Sequence, residues 1–225
     1  MRIQTITALS SLLLITACGG TNIQEYNISL DETGAAHADA IFAATLNMFE
    51  HRVQAIERQQ GVDDALQDIS LNRNGNEAAI AITLKNDSLI DALTEDLKQE
   101  FTFNFMEQVP LEEADIVVAE TEGFSSLPLT KEHISWINVD ESGQSGVATV
   151  IFTNEGEQRK KEIFAELSGT YVGIFIRDMP VYKFIVEETD MNDSTLLINI
   201  PNIELARVFA DDVNVELHTT ITPKN

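Results

Sequence analysis

Histidine is the side chain most often asked to ligate a metal or move a proton, and this chain has four: His37, His51, His133 and His218. A helical zinc site needs two imidazoles four residues apart with a glutamate beside the first. No pair here has that spacing. Gly143-Gln144-Ser145-Gly146 has the small residues of a nucleophile elbow, but Val147 stands where Gly-x-Ser-x-Gly requires its second glycine. The run also joins two predicted strands, not a strand to a helix, so it reads as a turn. Asp190, Asn192, Asp193 and Ser194 offer oxygens to a calcium ion. The calcium loop, however, places glycine where Thr195 stands and a bidentate acid where Pro201 stands, which favours a polar turn. The adjacent acids Glu112-Glu113, Glu187-Glu188 and Asp211-Asp212 are poor catalytic dyads, because neighbours on a strand point to opposite faces. Arg159-Lys160-Lys161 is the basic cluster, interleaved with Glu155, Glu157, Glu162 and Glu166, and reads as a solvated helix face. The sequence assigns no catalytic, metal or cofactor-binding residue, and the expectation is a non-enzyme without a cofactor.

The single cysteine, Cys18, excludes an intramolecular disulfide and any multi-cysteine metal site. Met1-Arg2 supplies one positive charge, residues 3–15 are mostly apolar, and Thr16-Ala17 precede the cysteine. That is the plan of an export signal. Ile15-Thr16-Ala17-Cys18 resembles the lipobox of bacterial lipoproteins, which implies cleavage between Ala17 and Cys18 and lipid, palmitate included, on Cys18. An ordinary signal peptide with an incidental cysteine is the other reading. Gly19 follows, and the aspartate of an inner-membrane retention signal is absent, so the resemblance favours the outer membrane, facing the periplasm. No later segment is apolar enough for the roughly 20 residues a span requires. Two or more acyl chains anchor stably where one does not.

The rest of the chain must fold. Its 44% hydrophobic content argues against disorder, and 225 residues suffice for one or two domains. With 37 acids against 14 bases the net charge is −23, which excludes a nucleic-acid binder that must neutralise phosphates.

Residues 18–34 read as a tether, polar over 19–24, and a first strand carrying Tyr26, Ile28 and Leu30 in alternation. Phe42, Leu46, Phe49, Val53 and Ile56 recur at helical spacing and predict a helix over 35–60, stopped by Gly61. Strands over 66–71 and 78–84 flank Asn74-Gly75, a strong hairpin signal. Asp87 or Ser88 caps a helix with Leu89, Ile90, Leu93 and Leu97, and Phe101, Phe103 and Phe105 alternate in a strand that closes the segment 35–110. Residues 111–124 are acid-rich and read as a connector, with Ile116-Val117-Val118 able to pair locally. Beyond it lie strands over 134–140 and 147–153 and a helix from Asn154 with Ile163, Phe164 and Leu167 inward. A hairpin over 171–176 and 181–186, a strand over 195–200, a short helix over 202–210 and a long strand over 213–222 complete the expectation.

From Leu129 the run Leu129-Thr130-Lys131-Glu132-His133-Ile134, the strand after it and Asn154-Glu155-Gly156 resemble the head of the first periplasmic domain of SecD, of the Sec protein-export machinery. Ile174-Phe175-Ile176-Arg177-Asp178 with Val181-Tyr182, and Ile203-Glu204-Leu205-Ala206, are similar to later parts of that head. The helix bearing Arg52-Val53 and the strand Phe101-Thr102-Phe103 resemble parts of its base. Asp190-Met191-Asn192-Asp193-Ser194-Thr195 replaces the family's glycine-rich segment. The resemblance implies an α+β fold: a ferredoxin-like split βαββαβ base into which an α+β head is inserted, with the last strand returning to the base. The expected map is a signal peptide over 1–17, tether and first strand over 18–34, base over 35–110, connector over 111–124, head over 125–211, and final strand and tail over 212–225. The resemblance also implies a module that binds exported polypeptides or Sec translocon components, attached to the membrane through its N-terminal lipid. A structural envelope lipoprotein that keeps the fold without transport is the alternative. Without transmembrane carboxylates the chain by itself is no proton-driven motor.

Overall fold

The computed structural model describes residues 22–224. Strand β1 (Asn22–Leu30) opens the chain and alternates, with Tyr26 and Ile28 buried. Asn22-Ile23-Gln24, expected in the tether, already pairs with the sheet. The expected single helix is two: Asp31 caps a short α1 (Glu32–Ala36), and α2 (Ala38–Gln60) follows after a break at His37. Gly61 ends α2 in the left-handed region, where a side chain would be strained. β2 (Leu66–Asn74) and β3 (Glu77–Leu84) form the expected hairpin. Helix α3 (Asp87–Lys98) is capped by Asn86, whose side chain accepts from the Leu89 amide, not by Asp87 or Ser88.

The chain then enters a second sheet. β4 (Phe103–Val109) pairs with β6 (Glu122–Thr130) and β9 (Tyr171–Ile176), giving the order β10–β9–β4–β6–β5 once β5 (Ile116–Val118) and β10 (Met179–Ile185) are added. This corrects two expectations. The phenylalanine strand belongs to the head, because Phe103 and Phe105 pack with Ile174 and Phe164 in one core. The acid-rich stretch is an edge hairpin of that sheet, not a free connector; Ile116 and Val118 pack under Phe124, leaving the acids to solvent.

A third sheet, β11–β8–β7, contains β7 (Ile134–Ser142), β8 (Ser145–Phe152) and β11 (Thr195–Ile200). Helix α4 (Asn154–Glu166) is capped by Thr153, whose side chain accepts from the Gly156 amide, and α5 (Glu188–Asn192) occupies the expected polar turn. The β9–β10 turn places Arg177 and Asp178 both at positive φ, which matches the twist of a two-residue hairpin.

The end of the chain differs most from expectation. Residues 213–218 are helical: α6 (Ile203–His218) runs sixteen residues, and only β12 (Thr219–Pro223) is strand. The cause is burial on two sides. Phe209, Ala210 and Val213 enter the head core while Val215 enters the base core, so apolar residues alternate on a helix. Topological closure nonetheless holds, since β12 pairs antiparallel with β1, Ile28 opposite Ile221. The base sheet has the order β12–β1–β3–β2, every neighbouring pair antiparallel, with the head chain leaving after α3 and returning through α6. The fold is α+β.

Candidate functional site

Two places gather chemistry-bearing residues that lie far apart in sequence. The first is the junction of the lobes. Arg52 on α2 donates to Asp96 on α3 at 2.8 Å and to Glu216 on α6, while Arg177 in the β9–β10 turn donates to Glu216 at 3.0 Å and Asp96 at 3.4 Å. Two guanidiniums and two carboxylates thus alternate in a closed ring, and a left-handed Arg177 is held in place by its ion pairs. Asn214 pins the same interface by accepting from the Ile137 amide and donating to its carbonyl, each at 2.8 Å.

One turn away on α6, Asp212 has a buried Oδ1 with no hydrogen-bond partner among the described residues, and His51 Nδ1 is likewise unpaired. Burial pushes the Asp212 carboxyl up to about 6, against the opposing pull of Arg52 and His51. Asp211 and Asp212 lie on a helix, which removes the strand geometry assumed for them, but Asp211 receives Asn47 while Asp212 points inward, so no dyad forms.

Also at the junction, the sole tryptophan, Trp136 on β7, stacks on His37 at 4.4 Å and on His218 at 5.5 Å. His218 is 6% exposed; its Nδ1 meets Asp31 Oδ2 at 3.0 Å and its Nε2 meets the Ser135 carbonyl at 2.8 Å. Two of the four histidines, without metal-site spacing in the sequence, are therefore brought to one indole. Sequence spacing carries no signal for this, because the three residues come from three elements. His133 instead accepts from the Thr130 amide and fixes a turn. Among the described residues no cluster of His, Cys, Asp and Glu could hold a metal ion.

The second place is the outer face and edge of the head sheet. β10 is an edge strand, with Met179, Val181 and Ile185 exposed at 68%, 43% and 43%. Beside it a groove of about 210 Å³ is lined by Phe124, Phe175, Val118 and Val181, with Gly173 at its floor. Gly173 is needed there: a Cβ would lie 2.6 Å from the Phe175 ring. Lys183 spans the groove to Glu122 at 2.5 Å and lies over the Tyr171 ring. Pro180 and a register shift blunt the start of the edge, while Tyr182 to Ile185 keep regular pairing with β9 on one side and, among the described residues, have no strand on the other.

Within the basic cluster Arg159 and Lys161 are exposed, as a solvated face requires, and Lys160 is the exception. Lys160 is fully buried, and its ammonium donates to the carbonyls of Asp190, of Asp193 at 2.6 Å and of Thr195 at 3.3 Å. The loop weighed as a calcium site thus directs its oxygens at the chain's own cation. Burial lowers the Lys160 pKa, offset in part by Asp190 and Asp193. The signal was present: Lys160 follows Gly156 by four and precedes Ile163 and Phe164 by three and four, all on the buried stripe. Ala17 and Cys18, the expected cleavage and lipid-attachment residues, lie outside the described residues, as do the signal peptide and residues 19–21.

No family profile matches the chain, and no curated protein matches it. Solved structures do. Over 91% of its length the chain is similar to SecDF, a translocon-associated membrane protein from Thermus thermophilus, at 13% identity and a TM-score of 0.49, spanning 30% of that chain. A structure of SecDF in a super-membrane-facing form is matched over the same 91%, at 13% identity, a TM-score of 0.46 and 30% of its length. A third, described as a membrane component SecDF that enhances protein export, is covered to 98% by 89% of this chain at 15% identity and a TM-score of 0.43. Among the described residues no helix is long and apolar enough to cross a membrane.

Proposed function

We propose that this chain is a lipid-anchored, non-enzymatic module of the bacterial cell envelope that binds exported polypeptides in extended form, or components of the export machinery that carry them. The observation that carries the reading is the open β10 edge, where exposed Val181 lines an aromatic groove and Ile185 is exposed farther along the same strand. An extended client adds main-chain hydrogen bonds along such an edge and seats alternate side chains in the groove. Asp178 before β10 and Glu187-Glu188 after it put acids at both ends, so a net charge of −23 favours apolar clients with basic flanks and repels acidic ones.

The anchor fits this use. Only residues 19–21 separate Cys18 from Asn22, so a lipidated Cys18 holds the start of β1 within about 15 Å of the bilayer. β1 then runs nine residues, about 30 Å, to Leu30 and Asp31, where the head is joined through His218 and Ser135. The base stands between membrane and head, and the head faces the periplasm. The outer membrane is the favoured location because glycine follows Cys18.

The test is photo-crosslinking in cells. A photoreactive residue at Val181 or Ile185 captures translocating chains or translocon subunits, and one at Ser70 on the far base edge does not. Absence of capture at 181 and 185, with a known translocon crosslink working in the same cells, overturns the reading. So does a deletion strain with an envelope defect and normal export, which assigns the chain a structural role.

A further inference from the structure

We propose that His37, Trp136, His218 and Asp31 form a proton-operated clasp that holds the head on the base. Trp136 and Ser135 belong to β7 of the head, while His37, Asp31 and His218 belong to the base and its connecting helix, so each contact crosses the lobe junction or braces a residue that does. Asp31 is held in position by its own turn, where Oδ1 accepts from the Gly34 amide at 2.6 Å and Oδ2 is left for His218. Gly34 has to be glycine, since a Cβ would lie 2.9 Å from the His218 carbonyl.

The direction of the switch follows from donors and acceptors. Both acceptors around His218, a carboxylate and a carbonyl, require a hydrogen on the ring nitrogen that meets them. A neutral imidazole carries one hydrogen and leaves the other nitrogen's lone pair facing an oxygen. The imidazolium satisfies both, adds an ion pair to Asp31, and places positive charge against the indole. His37, stacked on the same indole, strengthens its contact in the same way. Protonation therefore tightens the clasp, and rising pH loosens it.

The other charged groups around the clasp are committed elsewhere. The cleft beside His218 is also lined by Lys131, Glu132 and Glu216. Lys131 donates to the Phe101 carbonyl at 2.9 Å, Glu132 accepts from the Thr130 hydroxyl, and Glu216 is taken by Arg52 and Arg177. Near His37, Asp39 is paired with Arg73. Among the described residues Asp31 is the carboxylate that meets the His218 ring directly.

Because Trp136 is the one tryptophan, its emission reads the clasp without labelling. In the mature chain, contact with imidazolium quenches the indole, so emission drops about twofold or more as the pH is lowered from about 8 to about 5.5. Acrylamide reaches the indole more readily at the higher pH. The His37→Gln/His218→Gln double variant, with native circular dichroism, loses both changes, whereas Asp212→Asn keeps them. A wild-type emission and acrylamide response flat with pH overturns the proposal, with no variant needed, as does the full pH response surviving in the folded double variant.

Discussion

Replacing Asp212 with asparagine should make the protein more stable, and only above a defined pH. The wild-type carboxyl titrates at about 6 in the native state against an ordinary 3.8, because burial disfavours its charge. Below about pH 3.8 it is protonated whether folded or unfolded, and no difference arises. Between about 3.8 and 6 the unfolded chain releases a proton that the native state retains, so stability falls as pH rises. Above about 6 both states are ionised, and the native state carries the full cost of a buried charge. At about 1.36 kcal/mol for each pH unit, that cost approaches 3 kcal/mol, and partial exposure of the helix surface reduces it to about 1–3 kcal/mol. Asparagine has the same shape and no charge to desolvate. In urea titrations followed by far-ultraviolet circular dichroism, Asp212→Asn gains about 1–3 kcal/mol at pH 7.5 and close to nothing at about pH 4. A variant less stable than wild type at pH 7.5, or one equally stabilised at both pH values, refutes the reasoning.

Lys160→Met leaves three inward carbonyls without a donor and costs about 2–4 kcal/mol, read as a lower urea midpoint with faster hydrogen exchange over 188–195. Gly156→Ala drives a Cβ into the His133 carbonyl oxygen where α4 begins, and lowers the melting temperature by several degrees, whereas Gly61→Ala, which meets open space, costs about 1 kcal/mol from its left-handed backbone alone. Arg52→Ala leaves Asp96 and Glu216 facing one guanidinium in place of two and costs about 2 kcal/mol, less in 1 M salt because the ring is partly exposed.

Much of this architecture was legible because it follows local periodicity. The stripe Phe42, Phe49, Val53 and Ile56 marks α2, Asn74-Gly75 marks the β2–β3 hairpin, and the apolar run Thr195 to Ile200 coincides with β11. The errors fall where an element serves two environments. Helix α6 is buried against both lobes, so Val213, Val215 and Leu217 alternate as if on a strand. The acids of 111–124 concealed an edge hairpin whose apolar residues touch only Phe124 and its neighbours. Lys160 reads as surface by residue type and as core by position, and position decides. The junction residues were the least legible. Arg52, Asp96, Arg177 and Glu216 lie on four elements, and nothing in their spacing predicts that they meet.

The β10 edge is where an extended chain is proposed to bind, and the most direct measurement is equilibrium binding by fluorescence anisotropy between the mature protein and a labelled, unfolded segment of an exported polypeptide carrying basic and apolar residues. Saturable binding that falls at least about tenfold in a folded Val181→Glu/Ile185→Glu variant, and is unchanged by Ser70→Glu on the base edge, is the predicted result. Equal affinity for wild type and the β10 variant, or no binding by either, contradicts it.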